Sequence, residues 1–138
     1  MNILIICGYE PKEIKISAKY LITISNYLSE RNNDVFLISS KGNKLDDVKF
    51  EHMPIGFFSF SSLKIYNSLF KHYQTCVSGI LNAKDISPDV VLCHGKGVNY
   101  SLFLEGLLIS NLLDLPLILE WTGSDLLKPK GNFVKYIR

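Results

Sequence analysis

Residues 2–39 read NILIICGYEPKEIKISAKYLITISNYLSERNNDVFLIS. Met1 to Cys7 is an apolar run that stops at Gly8, the pattern of a strand buried on both faces. The period then changes. Ile16, Tyr20, Ile24, Tyr27 and Leu28 recur at helical spacing within Ile16 to Glu30, with Lys19, Asn26, Glu30 and Arg31 on other faces. Asn32 and Asn33 supply a turn and a helix stop. Asp34 to Ser39 is a second apolar run. A strand, a helix of this length and another buried strand make a parallel pair with a helical crossover.

The same grammar continues downstream. Lys41 to Asp47 is a polar loop, and Val48 to Met53 is a short strand ending at Pro54. Ser59 to Ser62 offer N-cap hydroxyls to a stripe of Leu63, Tyr66, Leu69, Phe70, Tyr73, Val77 and Leu81. Ser87-Pro88-Asp89 introduces a buried strand, Val90 to Cys93. Ser101 to Leu113 is a helix apolar on most sides, Pro116 opens the strand Leu117 to Trp121, and a last helix starts at Asn132. Buried strands alternating with helices predict an α/β, Rossmann-like, doubly wound and mainly parallel sheet with helices on both faces. The 138 residues fit one domain.

Composition narrows the class. Hydrophobic residues make up 47% and charged residues 20%, enough for a core and too apolar for disorder. The net charge of +2 is spread without a basic block, so no nucleic-acid partner is expected. The three cysteines, Cys7, Cys76 and Cys93, lack disulfide-framework spacing and read as reduced thiols in a cytoplasmic protein. The opening MNILIIC lacks a signal peptide's basic start and cleavage site. The apolar stretch Leu102 to Trp121 is interrupted by Glu105, Asn111, Asp114 and Pro116, unlike a bilayer span. Phe57, Phe58, Phe60, Tyr66, Phe70 and Tyr73 lie among Lys64, Lys71 and His72, a mixture that can seat a helix on the cytoplasmic face of a membrane or simply form core.

In doubly wound sheets ligands bind beyond the carboxyl ends of the strands, where strand order reverses. With the order 3-2-1-4-5, that point falls between the strand ending at Cys7 and the one ending at Cys93. The loops there are Gly8-Tyr9-Glu10-Pro11, His94-Gly95-Lys96-Gly97 and Thr122-Gly123-Ser124-Asp125. His94 can donate to a sugar hydroxyl or phosphate and titrates near neutrality; a structural hydrogen bond to a neighbouring loop would also explain it. Gly95 and Gly97 let backbone amides approach an anion, with Lys96 adding charge, although an ordinary turn uses the same residues. Thr122 to Asp125 reads equally as a tight turn. His52 and His72 read as surface residues. The dinucleotide fingerprint, the P-loop, the Gly-x-Ser-x-Gly elbow and zinc spacing are all absent. Of the carboxylates near strand ends, Glu10, Glu13, Glu120 and Asp125, no two are assigned as an acid/base pair.

Three stretches together carry a resemblance: residues 2–39 above, SPDVVLCHGKG at 87–97 and DLPLILEWTGSDL at 114–126. In order and spacing they resemble the N-terminal, acceptor-side domain of GT-B glycosyltransferases of family 4, over almost the whole chain. The resemblance implies retaining transfer of a sugar from a nucleotide-sugar, as co-substrate and without a metal, to a glycan or lipid-linked acceptor. It implies that His94 contacts the transferred sugar or its phosphate. It matches Gly8 and Gly123-Ser124-Asp125 to the family's glycine after the first strand and its Gly-Ser-Asp turn, while Tyr9, Glu10, Gly95, Lys96 and Thr122 are expected to bind substrate from their places in the three rim loops. Where many members carry a glycine pair, this chain has Pro11 to Ile16. Where many carry a histidine, it has Thr122.

The paired glutamates of the family's donor domain do not occur in this sequence. The expectation is therefore an enzyme half that needs a C-terminal partner half for activity. The alternatives are a non-catalytic subunit of a split glycosyltransferase and a small nucleotide-binding or regulatory α/β domain.

Overall fold

A computed structural model describes residues 1–8, 11, 16–39, 44–55, 64–96 and 100–122, with backbone only at 16–17, 64–69, 71–72, 96, 100–101 and 121–122. Its elements run β1 (Asn2–Cys7), α1 (Ile16–Glu30), β2 (Asp34–Ser39), β3 (Glu51–Pro54), α2 (Lys64–Ile86), β4 (Val90–Lys96), α3 (Tyr100–Leu113) and β5 (Leu117–Thr122). The strands form one five-stranded sheet in the order β3-β2-β1-β4-β5, and every pairing is parallel. This is the Rossmann-like, doubly wound α/β arrangement that the alternation of apolar strands and helices predicts. The helix expected from Asn132 and the N-cap serines 59–62 lie outside the described residues.

The sheet separates two apolar layers. On one face Ile3, Ile5, Cys7, Val35, Leu37, Val90 and Leu92 pack under α1, joined by Leu21, Leu45 and Phe50. On the other, Leu4, Ile6, Ile38, Val91 and Cys93 pack under α2 and α3, against Ala83, Leu102 and Ile109. Leu4, Ile5 and Ile6 of the central strand are wholly buried; each such side chain contributes about 1.5–3 kcal/mol. At the sheet's amino end Asp89 accepts from the Asn2 amide at 2.7 Å, and its own amide donates to Asn2 O at 2.8 Å. The Pro-Asp motif therefore stitches β4 to β1 at the edge opposite the carboxyl rim. Asn32, Ser87 and Asp114 take left-handed φ of 61°, 48° and 52° just beyond α1, α2 and α3, ending these helices without glycine.

Three expectations need correction. The α1 stripe holds only in part: Ile24 and Leu28 pack against the core, but Ala18, Leu21 and Ser25 are the buried positions and Tyr20 and Tyr27 are exposed. Likewise in α2, Thr75, Gly79 and Ala83 face inward, and Tyr73 and Leu81 face out. Small residues take the inward positions because each helix lies close on the sheet; Gly79 and Gly106 have no room for a Cβ without displacing a neighbour. His52 is not a surface residue but only 1% exposed. Residues 44–50 fold over β3, and Leu45 donates its amide to His52 Nδ1 at 2.9 Å while Nε2 lies 2.9 Å from Ser39 Oγ. No helix among the described residues is long and apolar enough to cross a membrane. Phe57, Phe58 and Phe60 lie outside the described residues.

Cys7 and Cys93 are buried thiols outside any disulfide, as read from the sequence. Burial, and then the neighbouring Glu105 charge, push the Cys93 thiol up to about 12 and the Cys76 thiol up to about 11 from an ordinary 9.0. A raised thiol keeps its proton in the fold after the unfolded chain has lost it. The stability these thiols contribute is therefore complete below about pH 9 and declines as pH rises toward the folded values. At pH 8 a thiol-reactive dye should leave Cys7 and Cys93 unmodified until denaturant is added; prompt labelling of either in the native protein would contradict this burial.

Candidate functional site

The strand order reverses at β1, which has β2 on one side and β4 on the other. The carboxyl rim beside it carries one register row: Pro54, Ser39, Cys7, His94 and Glu120 are successive partners across β3, β2, β1, β4 and β5. The row lies on the α1 face, since β4 alternates and Val90 and Leu92 already belong to that layer. The sequence reading placed His94, Gly95 and Lys96 in a loop after the strand. They are instead the last residues of β4, paired with Glu120, Trp121 and Thr122. The strand runs on because β5 extends to Thr122 and supplies partners to the end of the ladder.

His94 is wholly buried. Its Nδ1 lies 3.0 Å from Glu120 Oε2. The hydroxyl of Tyr20, reaching over from α1, donates to Glu120 Oε1 at 2.7 Å. The Tyr20 ring also stacks on the imidazole, with centroids 5.8 Å apart and planes 29° from parallel. Tyr20, His94 and Glu120 thus come from three elements and meet in one group beside the switch point. The hydrogen bond to Glu120 is the main cause, ahead of desolvation and the carboxylate's charge, that raises the Tyr20 hydroxyl above its ordinary 10.0. Tyr20 therefore stays a donor at neutral pH, as the bond requires.

The rim brings together the backbone of Gly8, His94, Gly95, Lys96 and Thr122, all foreseen as site residues. Of Lys96 and Thr122 only the backbone is described. Tyr9, Glu10, Gly123, Ser124 and Asp125 lie outside the described residues. Among the described residues no group of three or more His, Cys, Asp or Glu side chains is arranged to hold a metal ion. Tyr20 and Glu120 were not foreseen as partners of His94. Tyr20 was absorbed into a core stripe, and Glu120 stood alone as a strand-end carboxylate. Only the register of β4 against β5 makes Glu120 the neighbour of His94. A polar residue breaking an apolar strand one residue before its end was the single available signal.

No protein-family model and no curated protein matches this sequence. Solved structures do match in fold. UDP-GlcNAc 2-epimerase from Methanocaldococcus jannaschii aligns over 86% of this chain and 31% of its own, with 20% identity and a TM-score of 0.51. The glycosyltransferase SsfS6 from Streptomyces sp. SF2575 aligns over 88% and 39%, with 16% identity and a TM-score of 0.56. MurG from Acinetobacter baumannii aligns over 90% and 36%, with 12% identity and a TM-score of 0.56. The chain spans about a third of the length of these structures, and at such identities the likeness is one of fold: a Rossmann-like unit of the GT-B architecture.

Proposed function

We propose that this chain is the acceptor-side half of a retaining glycosyltransferase similar to family 4, acting with a donor-binding C-terminal half. It would move a sugar from a nucleotide-sugar to a glycan or lipid-linked acceptor, with the nucleotide-sugar as co-substrate and no bound metal required. The supporting observation is the burial of His94 at the sheet's switch point, held by Glu120 and capped by Tyr20. In such a cleft, catalysis is mostly positioning and electrostatic stabilisation of a departing diphosphate. An imidazole can hydrogen-bond a sugar hydroxyl or a phosphate through a ring nitrogen. Gly8, Tyr9, Glu10, Gly95, Lys96, Thr122, Gly123, Ser124 and Asp125 would line the substrate side of the rim. Work at the cytoplasmic face of a membrane would follow if the acceptor is lipid-linked.

The test is chemical-shift mapping on the labelled chain with uridine and guanosine diphosphate sugars and short glycans. Weak binding is expected, with shifts confined to Gly8, residues 94–97 and residues 122–125, and lost in His94→Ala. The absence of any shift at millimolar ligand, or shifts at the opposite edge near Asn2 and Asp89, would refute the reading.

The likeness to UDP-GlcNAc 2-epimerase carries a second reading: rearrangement of a nucleotide-sugar without an acceptor. The two differ in product. Transfer consumes an acceptor hydroxyl and releases nucleoside diphosphate, whereas epimerisation consumes no acceptor.

A further inference from the structure

Of the three side chains that meet beside the switch point, His94 is wholly buried, whereas Tyr20 is 40% exposed and the Glu120 side chain 25% exposed. The Tyr20 ring stacks on the imidazole from the α1 side, so a ligand approaching from there meets Tyr20 and Glu120 first. What these two can offer is set by the bonds they already make. The Tyr20 hydroxyl spends its one proton on Glu120 Oε1 at 2.7 Å, which leaves only its lone pairs. A carboxylate accepts at about four lone-pair positions. Tyr20 takes one at Oε1, and His94 Nδ1 lies against Oε2 at 3.0 Å. The pair therefore presents unused acceptor capacity and negative charge, and neither side chain has a donor left. The bond between α1 and β5 and the ring stack hold both groups in place, so little freedom remains to be lost when a ligand binds.

We propose that Tyr20 and Glu120 form a hydroxyl-binding corner of the rim, which takes an uncharged sugar of the acceptor and turns anionic groups away. The proposal rests on the acceptor-side reading and deepens it by naming the acceptor's chemistry. Sugar hydroxyls supply the donors that the corner lacks, and neighbouring hydroxyls of one ring can be divided between the carboxylate and the phenol oxygen. A phosphate or carboxylate brings only acceptors and like charge, and it gives up hydration here without a partner in return. The phosphates of the co-substrate therefore lie elsewhere along the rim. A tie whose only task was to join α1 to β5 would not tell a neutral glycan from an anionic one.

The experiment is an NMR titration of the whole 138-residue chain, observing the Tyr20 ring and the Glu120 carboxyl carbon. The probes are the methyl glycosides of glucose, galactose and mannose and of the matching uronic acids, in which a carboxylate replaces the primary alcohol. At least one neutral glycoside should shift both signals at millimolar concentration. Its uronate should bind about tenfold more weakly near neutral pH and at low salt. In Glu120→Gln the neutral glycoside should bind about tenfold more weakly than to the parent, the uronate should be little changed, and the preference should vanish. Tyr20→Phe keeps the ring stack and should weaken the neutral glycoside severalfold while keeping the preference. A uronate that binds the parent as well as its neutral counterpart overturns the proposal without any variant, so poor folding of Glu120→Gln would not shelter it. A panel that moves neither signal overturns it too, as do unchanged affinities in Glu120→Gln, and an unchanged affinity in Tyr20→Phe removes Tyr20 from the corner. If nucleotide-sugars shift Gly8 and residues 94–97 while the glycosides leave Tyr20 and Glu120 unmoved, the corner falls and the transfer reading stands. If the glycosides bind here and no nucleotide-sugar binds at the rim, the transfer reading fails and the corner stands as a glycan site.

Discussion

Gly106→Ala is expected to destabilise the protein, although alanine is the better helix former by about 1 kcal/mol. A Cβ at Gly106 would come within 2.1 Å of Cys93 Sγ, 3.3 Å of Leu117 Cδ1 and 3.4 Å of Cys93 Cβ. The obstacle is a short side chain on an interior strand, with no far end free to swing away. Overpacking of this kind costs about 1–3 kcal/mol and should exceed the helical gain, and Gly106→Val should lose about 3 kcal/mol or more. The contrast is Gly79, where an added Cβ meets the terminal methyl of Ile109 at 2.5 Å. That methyl can move by a rotamer change, so Gly79→Ala should be the milder variant. Urea unfolding followed by circular dichroism measures both. Adding Cys93→Ala to Gly106→Ala removes the sulfur and should restore part of the loss, as a double-mutant cycle would read. A Gly106→Ala protein as stable as the parent would mean that α3 does not sit this close to β4. The consequence reaches the rim, because Cys93 directly precedes His94 and a displaced β4 carries the imidazole with it.

His52→Ala should cost about 2–4 kcal/mol, a loss usual for a large buried side chain rather than for a surface histidine. The Leu45 amide donates to Nδ1, so that nitrogen carries no proton and the ring donates from Nε2 to Ser39 Oγ. Alanine removes the acceptor for a buried amide and leaves a cavity under residues 44–50. Ser39→Ala, which removes one hydrogen-bonding hydroxyl and little volume, should cost roughly 1 kcal/mol. The same denaturant melts decide the matter, and a His52→Ala loss below about 0.5 kcal/mol, the range of ordinary surface changes, would refute the buried placement. Ser39 stands in the register row beside Cys7 and His94. Hydrogen exchange at the end of β2 should therefore quicken in the same variant.

Which face of each helix meets the sheet was the weakest part of the sequence reading. Tyr20, Tyr73 and Leu81 fit apolar stripes and yet are exposed. Helical periodicity marks large apolar side chains, whereas close helix–sheet approach selects small ones such as Ala18, Gly79 and Ala83. α3 shows the same conflict: Leu104, Leu107, Leu108 and Leu112 are exposed, while Glu105, Gly106 and Ser110 are buried. Pattern could not orient a helix apolar on nearly every side.

The local chain determined the alternation of strands and helices and a mainly parallel sheet, and the common order 3-2-1-4-5, which the structure has, brings Gly8, His94 and Thr122 to one rim. These follow from apolar runs, turn residues and the handedness of crossovers, all short-range properties that a sequence carries openly. Tertiary structure alone decided that Tyr20 and Glu120 clasp His94, that His52 is buried, and that Gly106 must lack a side chain. Each depends on register or on the distance between elements far apart in sequence, as between Tyr20 and Glu120, 100 residues apart. A shift of one residue in the pairing of β4 with β5 would turn Glu120 to the other face of the sheet, and nothing in the linear order of side chains fixes that pairing.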